Sequence, residues 1–295
     1  MIPPETDGAR DGVPAELPLF AVAGPTASGK TARAIELAKE HDGEIISVDS
    51  RQVYRMLDIG TEKISSEEMQ GIPHHLIDIR DPKDSYSAGD FVTDAERLIE
   101  EIRSRGKVPI LAGGTNFYFD ALIYGLPADA PTDEKLRKEL EQLSSEELMH
   151  RIREQDPRRA ARLDPMNRRR LVRALEILAT HATVPERTKD APRHAVTWIV
   201  MNVERDELRA RIRSRLMQAF ERGLIEEVER VRAYVGDDRL NELGLEYKVI
   251  GEYLRGERSE DSLLPTLSSR LWHYARRQKA WLRKLANETR TAEIS

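Results

Sequence analysis

Gly24-Pro25-Thr26-Ala27-Ser28-Gly29-Lys30-Thr31 fits the spacing G-x-x-x-x-G-K-[ST] in full. It has the setting that pattern needs, a strand-like run (Leu19 to Ala23) before it and a helical apolar period after it. The glycines let backbone N–H groups curl around an anion, and the helix start adds its positive dipole end. Lys30 supplies a point charge, and the Thr31 hydroxyl can ligate magnesium. These eight residues are therefore read as a diphosphate site, with Thr31 as the ligand of a Mg2+ ion.

Two more polar clusters follow strand-like runs. Asp49 to Tyr54 reads DSRQVY after EIISV, and Gly113 to Tyr118 reads GGTNFY after VPILA. In open α/β sheets ligands lie beyond the carboxyl ends of the strands, so the three clusters are expected to converge. Asp49 then ends a buried strand on the ligand side of the sheet, where it is a candidate proton acceptor; an N-cap or turn aspartate is the plainer alternative. Thr115 sits in the same position after its own strand, and a strand-end cap is its alternative. His74 and His75 are not read as metal ligands, because neighbours on a strand point to opposite faces.

The elements that must position these residues alternate. Strand-length apolar runs occur at 19 to 23, 44 to 48, 75 to 79, 108 to 113 and 195 to 203, with helical period over 31 to 41 and 90 to 105. That order implies an α/β fold, a P-loop parallel sheet flanked by helices. From about 126 to 191 only helical patterns appear, a helical insertion between two strands. The core is then 18–125 and 192–295, with a frayed tail over 1–17. One amphipathic helix is expected from about 205 to 234, with Leu208, Ile212, Leu216, Phe220, Leu224, Val228 and Val231 as its buried stripe. A last helix near 262 to 286 places Arg270, Tyr274, Arg277, Trp281 and Lys284 on one side, a pattern that suits either RNA or core packing.

Composition narrows the class. The 295 residues include no cysteine, which excludes disulfides and thiol chemistry. No apolar run approaches the roughly 20 residues of a bilayer span, so the expectation is a cytoplasmic monomer without a membrane anchor. The net charge is −5, yet residues 151 to 173 hold nine arginines against three acids and residues 270 to 290 hold seven basic groups against one. Two such patches in an acidic chain favour a polyanionic partner.

GEIISVDSRQVYRMLDIGTEK, IPHHLIDIRDPKDSYSAGDF, VPILAGGTNFYFDALIYGL, RRRLVRALEI and YARRQKAWLRK together resemble, in order and spacing, the bacterial tRNA dimethylallyltransferase family over about residues 18 to 286. The resemblance implies that the loop (Gly24, Pro25, Thr26, Ala27, Ser28, Gly29, Lys30 and Thr31) holds the diphosphate of dimethylallyl diphosphate. The prenyl group then goes to N6 of the adenosine 3′ of the tRNA anticodon. It implies Asp49 as general base, with Lys30 and Thr115 completing the catalytic set. Asp49, Ser50, Arg51, Gln52 and Thr115 are implied to meet the extruded base, and Arg137, Arg169, Arg170, Leu171, Val172 and Arg173 to contact the anticodon stem-loop. The alternatives are an isopentenyltransferase acting on free adenine nucleotides, a small-molecule P-loop kinase, and a noncatalytic RNA-binding module. Departures from the family pattern are the short stretch ATVPERTKDAPRH (182 to 194), Met56 in place of a glycine, and NELGLEYKVI, so no RNA contact is assigned to 241–247.

Overall fold

The computed structural model describes residues 17–126, 133–185 and 191–288, and the backbone of 293–294. The expected tail therefore lies outside the described residues except for Leu17. Leu17 is not frayed: its carbonyl accepts from Arg103 Nη2 at 2.8 Å, and its side chain packs on the core. The chain divides into two compact units, Met1–Phe119 with His194–Ser295, and Asp120–Arg193.

In chain order the elements are β1 (Leu19–Ala23), α1 (Lys30–Glu40), β2 (Gly43–Val48), β3 (His74–His75), α2 (Ala88–Ser104), β4 (Val108–Gly113) and α3 (Asn116–Tyr124). Then come α4 (Glu134–Glu141), α5 (Ser145–Gln155), α6 (Pro157–Ala160), α7 (Arg168–Leu178) and β5 (Val196–Val200). Last are α8 (Arg205–Glu221), α9 (Leu224–Val235), α10 (Asp237–Leu240), α11 (Leu245–Leu254), α12 (Leu263–Glu288) and β6 (Glu293–Ile294). The sheet order is β3-β2-β4-β1-β5-β6, and every pairing is parallel.

Alternation along the strands assigns the two faces of this sheet. Val22, Ile45, Ile110 and Ile199 form one cluster with Ala34, Ile35, Leu37 and Ala38 of α1. Trp198, next to Ile199, points the other way and packs on Phe119 of α3 and Trp281 of α12, with ring centroids 5.3 and 6.1 Å away. Trp281 is thus half-buried and packs on the core, which favours the packing reading of the last helix for that residue. At the end of β4 a Cβ on Gly113 would stand 2.1 Å from the Val48 carbonyl oxygen, so only glycine lets β2 and β4 leave the sheet this close together.

Two expectations differ from the structure. The run 75 to 79 is not a strand: after His75 the backbone turns left-handed at Leu76 (φ 62) and Asp78 (φ 56). Asp78 and Arg80 then donate their amides to the Gln52 and Val53 carbonyls at 3.1 and 2.9 Å, so this segment braces the loop after β2 instead of extending the sheet. The helix over 205 to 234 is two helices, broken at Gly223 (φ 91). The apolar stripe hid the break because Leu216, Phe220 and Leu224 keep a four-residue step across it, while a left-handed glycine ends α8.

Among the described residues of the second unit every regular element is a helix. Ser144 and Glu147 make a reciprocal capping box that starts α5, and Asp133 and Asn167 cap α4 and α7. Its core gathers Leu140, Leu148, Ile152, Leu171 and Leu175. Among the described residues no helix is long and apolar enough to cross a membrane.

Candidate active site

The phosphate loop leaves β1 and reaches α1 through Gly29, whose φ of 87 favours glycine. Ser28 is buried, and its Oγ has no hydrogen-bond partner among the described residues. An orphaned hydroxyl inside an anion cradle is the mark of a donor that a phosphate oxygen would satisfy. Lys30 stands at the same place. Burial lowers its pKa to about 8, opposed by the Asp49 carboxylate and reinforced by the Arg215 guanidinium. Lys30 and Asp49 are therefore within electrostatic reach of one another at the carboxyl edge of the sheet.

Asp49 makes the turn that its plainer reading foresaw. Its Oδ1 accepts from the Arg51 amide at 2.8 Å and the Gln52 amide at 3.4 Å. Both bonds fall on one oxygen, and Oδ2 has no partner among the described residues, so the turn orients the carboxylate and leaves an oxygen for chemistry. Thr115 donates its amide to the Val48 carbonyl at 3.1 Å and accepts from the Ser50 amide on Oγ1 at 3.1 Å. The exits of β2 and β4 are thus stitched together.

Gln278 of α12 joins the third cluster. Its Oε1 accepts from the Thr26 amide at 3.0 Å, and its Nε2 donates to the Gly114 carbonyl at 2.7 Å. The three clusters expected to converge do so: Ser50 with Thr115, and Thr26 with Gly114 through Gln278.

A ring of charge surrounds them. Arg215 of α8 donates to Thr26 Oγ1 and lies 3.4 Å from Glu62 and 3.9 Å from Glu246. Burial raises the Glu246 pKa, with Arg215 and Arg51 pulling it back. Burial also pushes the Tyr274 phenol up to about 12, with the Asp49 charge adding to the shift. Arg51 Nη1 donates to the Glu242 carbonyl at 2.7 Å.

Not every expected residue is free to meet a substrate. Gln52 accepts from Ser47 Oγ on Oε1 and donates through Nε2 to the Thr61 and Glu62 carbonyls, all at 3.2 Å. Its amide group is used internally, holding the loop rather than a base. Leu171 and Val172 are 0% and 6% exposed, so their side chains build the helical unit's core and do not meet RNA. Arg137 grips the buried Glu176 carboxylate bidentately at 2.7 and 3.0 Å, and Arg173 adds a bond at 3.1 Å. Arg169 and Arg170 are exposed on the first turn of α7.

His75 pairs with Glu44 at 2.7 Å, and His74 Nδ1 lies 2.8 Å from the Ile72 carbonyl. Among the described residues no three His, Asp or Glu side chains converge as a metal cage. The donor set does fit magnesium in another way. Thr31 is exposed, its hydroxyl unbonded among the described residues, and one hydroxyl together with diphosphate oxygens and waters is a common magnesium shell.

Comparison with known proteins identifies the family. The family model described as IPP transferase matches residues 52–285. The chain belongs to the IPP transferase family. A tRNA dimethylallyltransferase from Thermomicrobium roseum is 44% identical over 277 residues, 91% of this chain and 84% of that protein. One from Acetivibrio thermocellus is 42% identical over 282 residues, 91% and 90% of the two chains. The full-length tRNA isopentenylpyrophosphate transferase from Bacillus halodurans superposes with a TM-score of 0.70 at 38% identity, covering 94% of this chain and 89% of that one. A eukaryotic dimethylallyltransferase solved acting on tRNA gives 0.77 at 27% identity, covering 90% and 70%.

Within this IPP transferase chain, sequence reasoning passed over Gln278, Glu246 and Glu227. The last is 2% exposed, and its carboxylate accepts from the amides of Asp58 (3.0 Å), Ile59 (2.7 Å) and Gly60 (2.9 Å) and from the Tyr247 hydroxyl (2.7 Å). A signal was available. Glu227 falls beside Leu224, Val228 and Val231 in the buried stripe of α9, and Gln278 falls among Leu271, Ala275 and Leu282 in α12. A polar residue on an apolar face is buried to hold something.

Proposed function

We propose that this chain transfers a dimethylallyl group from dimethylallyl diphosphate to N6 of the adenosine 3′ of the anticodon in tRNA, releasing diphosphate. The observation that carries the reading is the joining of the phosphate loop, the Asp49 turn and the Thr115 cluster at one edge of the sheet, through the Ser50–Thr115 and Thr26–Gln278–Gly114 bonds, with one Asp49 oxygen to spare. An adenine amine is a poor nucleophile because its lone pair is delocalised into the ring. Its attack on the allylic C1 needs both a proton acceptor and a stabilised leaving group.

In this mechanism the N6 lone pair forms the bond to C1 as the C1–O bond breaks, and the diphosphate departs with that electron pair. The amine proton goes to Asp49 Oδ2, while the two amides on Oδ1 keep the carboxylate aimed. The loop amides, Ser28 Oγ and the Lys30 ammonium receive the growing negative charge. Magnesium held through Thr31 would supply further neutralisation of the diphosphate. Thr115 holds the backbone at Ser50 and so fixes the approach to Asp49. Ser50 and Arg51 stand at the entrance for the extruded adenosine, and Arg169 and Arg170 offer charge to the RNA backbone.

The test incubates the protein with radiolabelled dimethylallyl diphosphate, magnesium and bulk tRNA. Label enters RNA only where an adenosine lies beside the anticodon, and Asp49→Ala and Lys30→Ala abolish it. Label appearing in AMP but in no RNA would overturn the reading.

A further inference from the structure

The helical unit holds a basic cavity that the arginines of α7 do not line. Its volume is about 150 Å³, and Asp156, Arg158, Arg159, Arg162, Thr183 and Val184 line it. That is roughly ten times the room a single ordered water requires. Three guanidinium groups and one carboxylate share the wall.

One carboxylate offsets only part of that charge, and its oxygens bond backbone amides, not guanidinium groups. Asp156 is 6% exposed, and its Oδ1 accepts from the Arg159 amide at 2.9 Å while Oδ2 accepts from the Val184 amide at 3.0 Å. It is a cap and a tether, tying α6 to the chain after α7. Those backbone bonds, with Arg158 and Arg159 nearby, hold its carboxyl below the usual carboxylate range. Arg158 and Arg159 find no bonding partner of their own: their side chains make no hydrogen bond or ion pair among the described residues, and Arg159 Nε is buried without an acceptor.

Two other arginines, Arg80 and Arg103, also bury an unpaired Nε, but each has a partner for the rest of its fork. Arg103 Nη2 donates to the Leu17 carbonyl at 2.8 Å, and Arg80 Nη2 lies 3.9 Å from Asp94. Among the described residues Arg159 has no such partner at any side-chain nitrogen. Like charges collected around one small space repel, and a buried donor with no acceptor is costly; an oxyanion relieves both. The fork geometry of guanidinium suits a carboxylate or a phosphate. Phosphate is the one of these that the RNA-binding reading of the same unit supplies, and the exposed Arg169 and Arg170 in that unit add to its positive field.

We propose that the cavity formed by Arg158, Arg159 and Arg162 seats a backbone phosphate of the tRNA substrate. This inference rests on the reading of the chain as a tRNA-modifying enzyme. The seat makes the grip of the insertion on RNA a matter of one ordered contact as well as a diffuse basic surface.

The full chain is compared with Arg158→Gln/Arg159→Gln and with Arg158→Lys/Arg159→Lys by fluorescence anisotropy on tRNA across a potassium chloride titration. Thermal melts establish that all three are folded. The glutamine pair binds tRNA about tenfold more weakly, and the slope of log affinity against log salt falls by roughly 0.7 to 0.9, the loss of one phosphate contact. The lysine pair keeps most of the slope, since charge is retained, while losing affinity with the fork. Inorganic phosphate at fixed ionic strength competes with tRNA on the unaltered chain and loses that effect in the glutamine pair. An unchanged slope in the folded glutamine pair overturns the seat, as does phosphate competition equal in both proteins, which would mean a free-anion effect elsewhere. Prenyl transfer by the unaltered chain is run alongside. Its absence with the slope change present faults the proposed reaction, and its presence with an unchanged slope faults the seat alone.

Discussion

Replacing Glu227 is expected to damage both stability and catalysis, although the residue touches no substrate. Its carboxylate holds three consecutive amides, Asp58 to Gly60, and the Tyr247 hydroxyl. The next two carbonyls of the loop, Thr61 and Glu62, hold Gln52, whose amide in turn bonds Asp49. The Glu62 side chain also pairs with Arg215, which reaches Thr26 of the phosphate loop. In Glu227→Ala, three amides lose their acceptor in a buried place, each at a cost of roughly 1 to 3 kcal/mol if no water enters. Partial relaxation brings the expected total to about 4 kcal/mol, a large part of a typical domain's stability. Glu227→Gln keeps one acceptor oxygen and turns an NH2 toward two of the four donors, a loss of roughly 2 to 4 kcal/mol. The assay is urea unfolding followed by single-turnover prenyl transfer under conditions where each variant is folded. Folded Glu227→Gln is expected to transfer about tenfold more slowly with donor affinity little changed, because a loop displaced by a fraction of an ångström moves Asp49 out of line. An alanine variant with the unaltered chain's urea midpoint and rate would refute the linkage from α9 to the site.

The other predictions concern single groups. Lys30 has a folded pKa of about 8 against 10.5 ordinarily, so above about 8 the free enzyme loses the charge that grips diphosphate. Donor affinity, followed by isothermal calorimetry, therefore declines as pH rises through that value, approaching tenfold per unit. Stability of the empty protein moves the opposite way. The unfolded chain binds the extra proton between about 8 and 10.5, so in that window this group's contribution rises with pH, and Lys30→Met removes that rise from the thermal melts. Gln278→Leu leaves the Thr26 amide without its acceptor and is expected to raise the KM for dimethylallyl diphosphate several-fold more than the KM for tRNA. Glu176→Ala releases Arg137 and Arg173, whose guanidinium groups water can still reach; it should destabilise the helical unit by roughly 1 to 2 kcal/mol, read as an earlier melting step.

The fold was legible where local pattern and packing agree. Continuous apolar runs at 19 to 23 and 108 to 113 had to be buried parallel strands, and the glycine-rich turn before Lys30 could only open a helix. Chain geometry that depends on distant partners was not legible. The run HLIDI has strand composition, but Leu76 and Asp78 turn left-handed because the backbone there answers the loop after β2. Within the site, Asp49, Thr115 and the phosphate loop stood out because strand ends after a parallel sheet mark one rim. Gln278 and Arg215 reach that rim from helices more than 160 residues away from Gly114 and Thr26 in the chain, a proximity that no local pattern encodes. The family resemblance implied Leu171 and Val172 as RNA contacts along with the arginines around them; the apolar period of α7 points them inward.

The measurement that bears most directly on the central claim is the single-turnover rate of prenyl transfer by Asp49→Asn beside its affinity for dimethylallyl diphosphate. If Asp49 Oδ2 takes the amine proton, the rate falls on the order of 10²- to 10⁴-fold while the donor still binds within a few-fold of the unaltered chain. A variant that binds donor and tRNA and transfers the prenyl group at the original rate would contradict the role of that carboxylate.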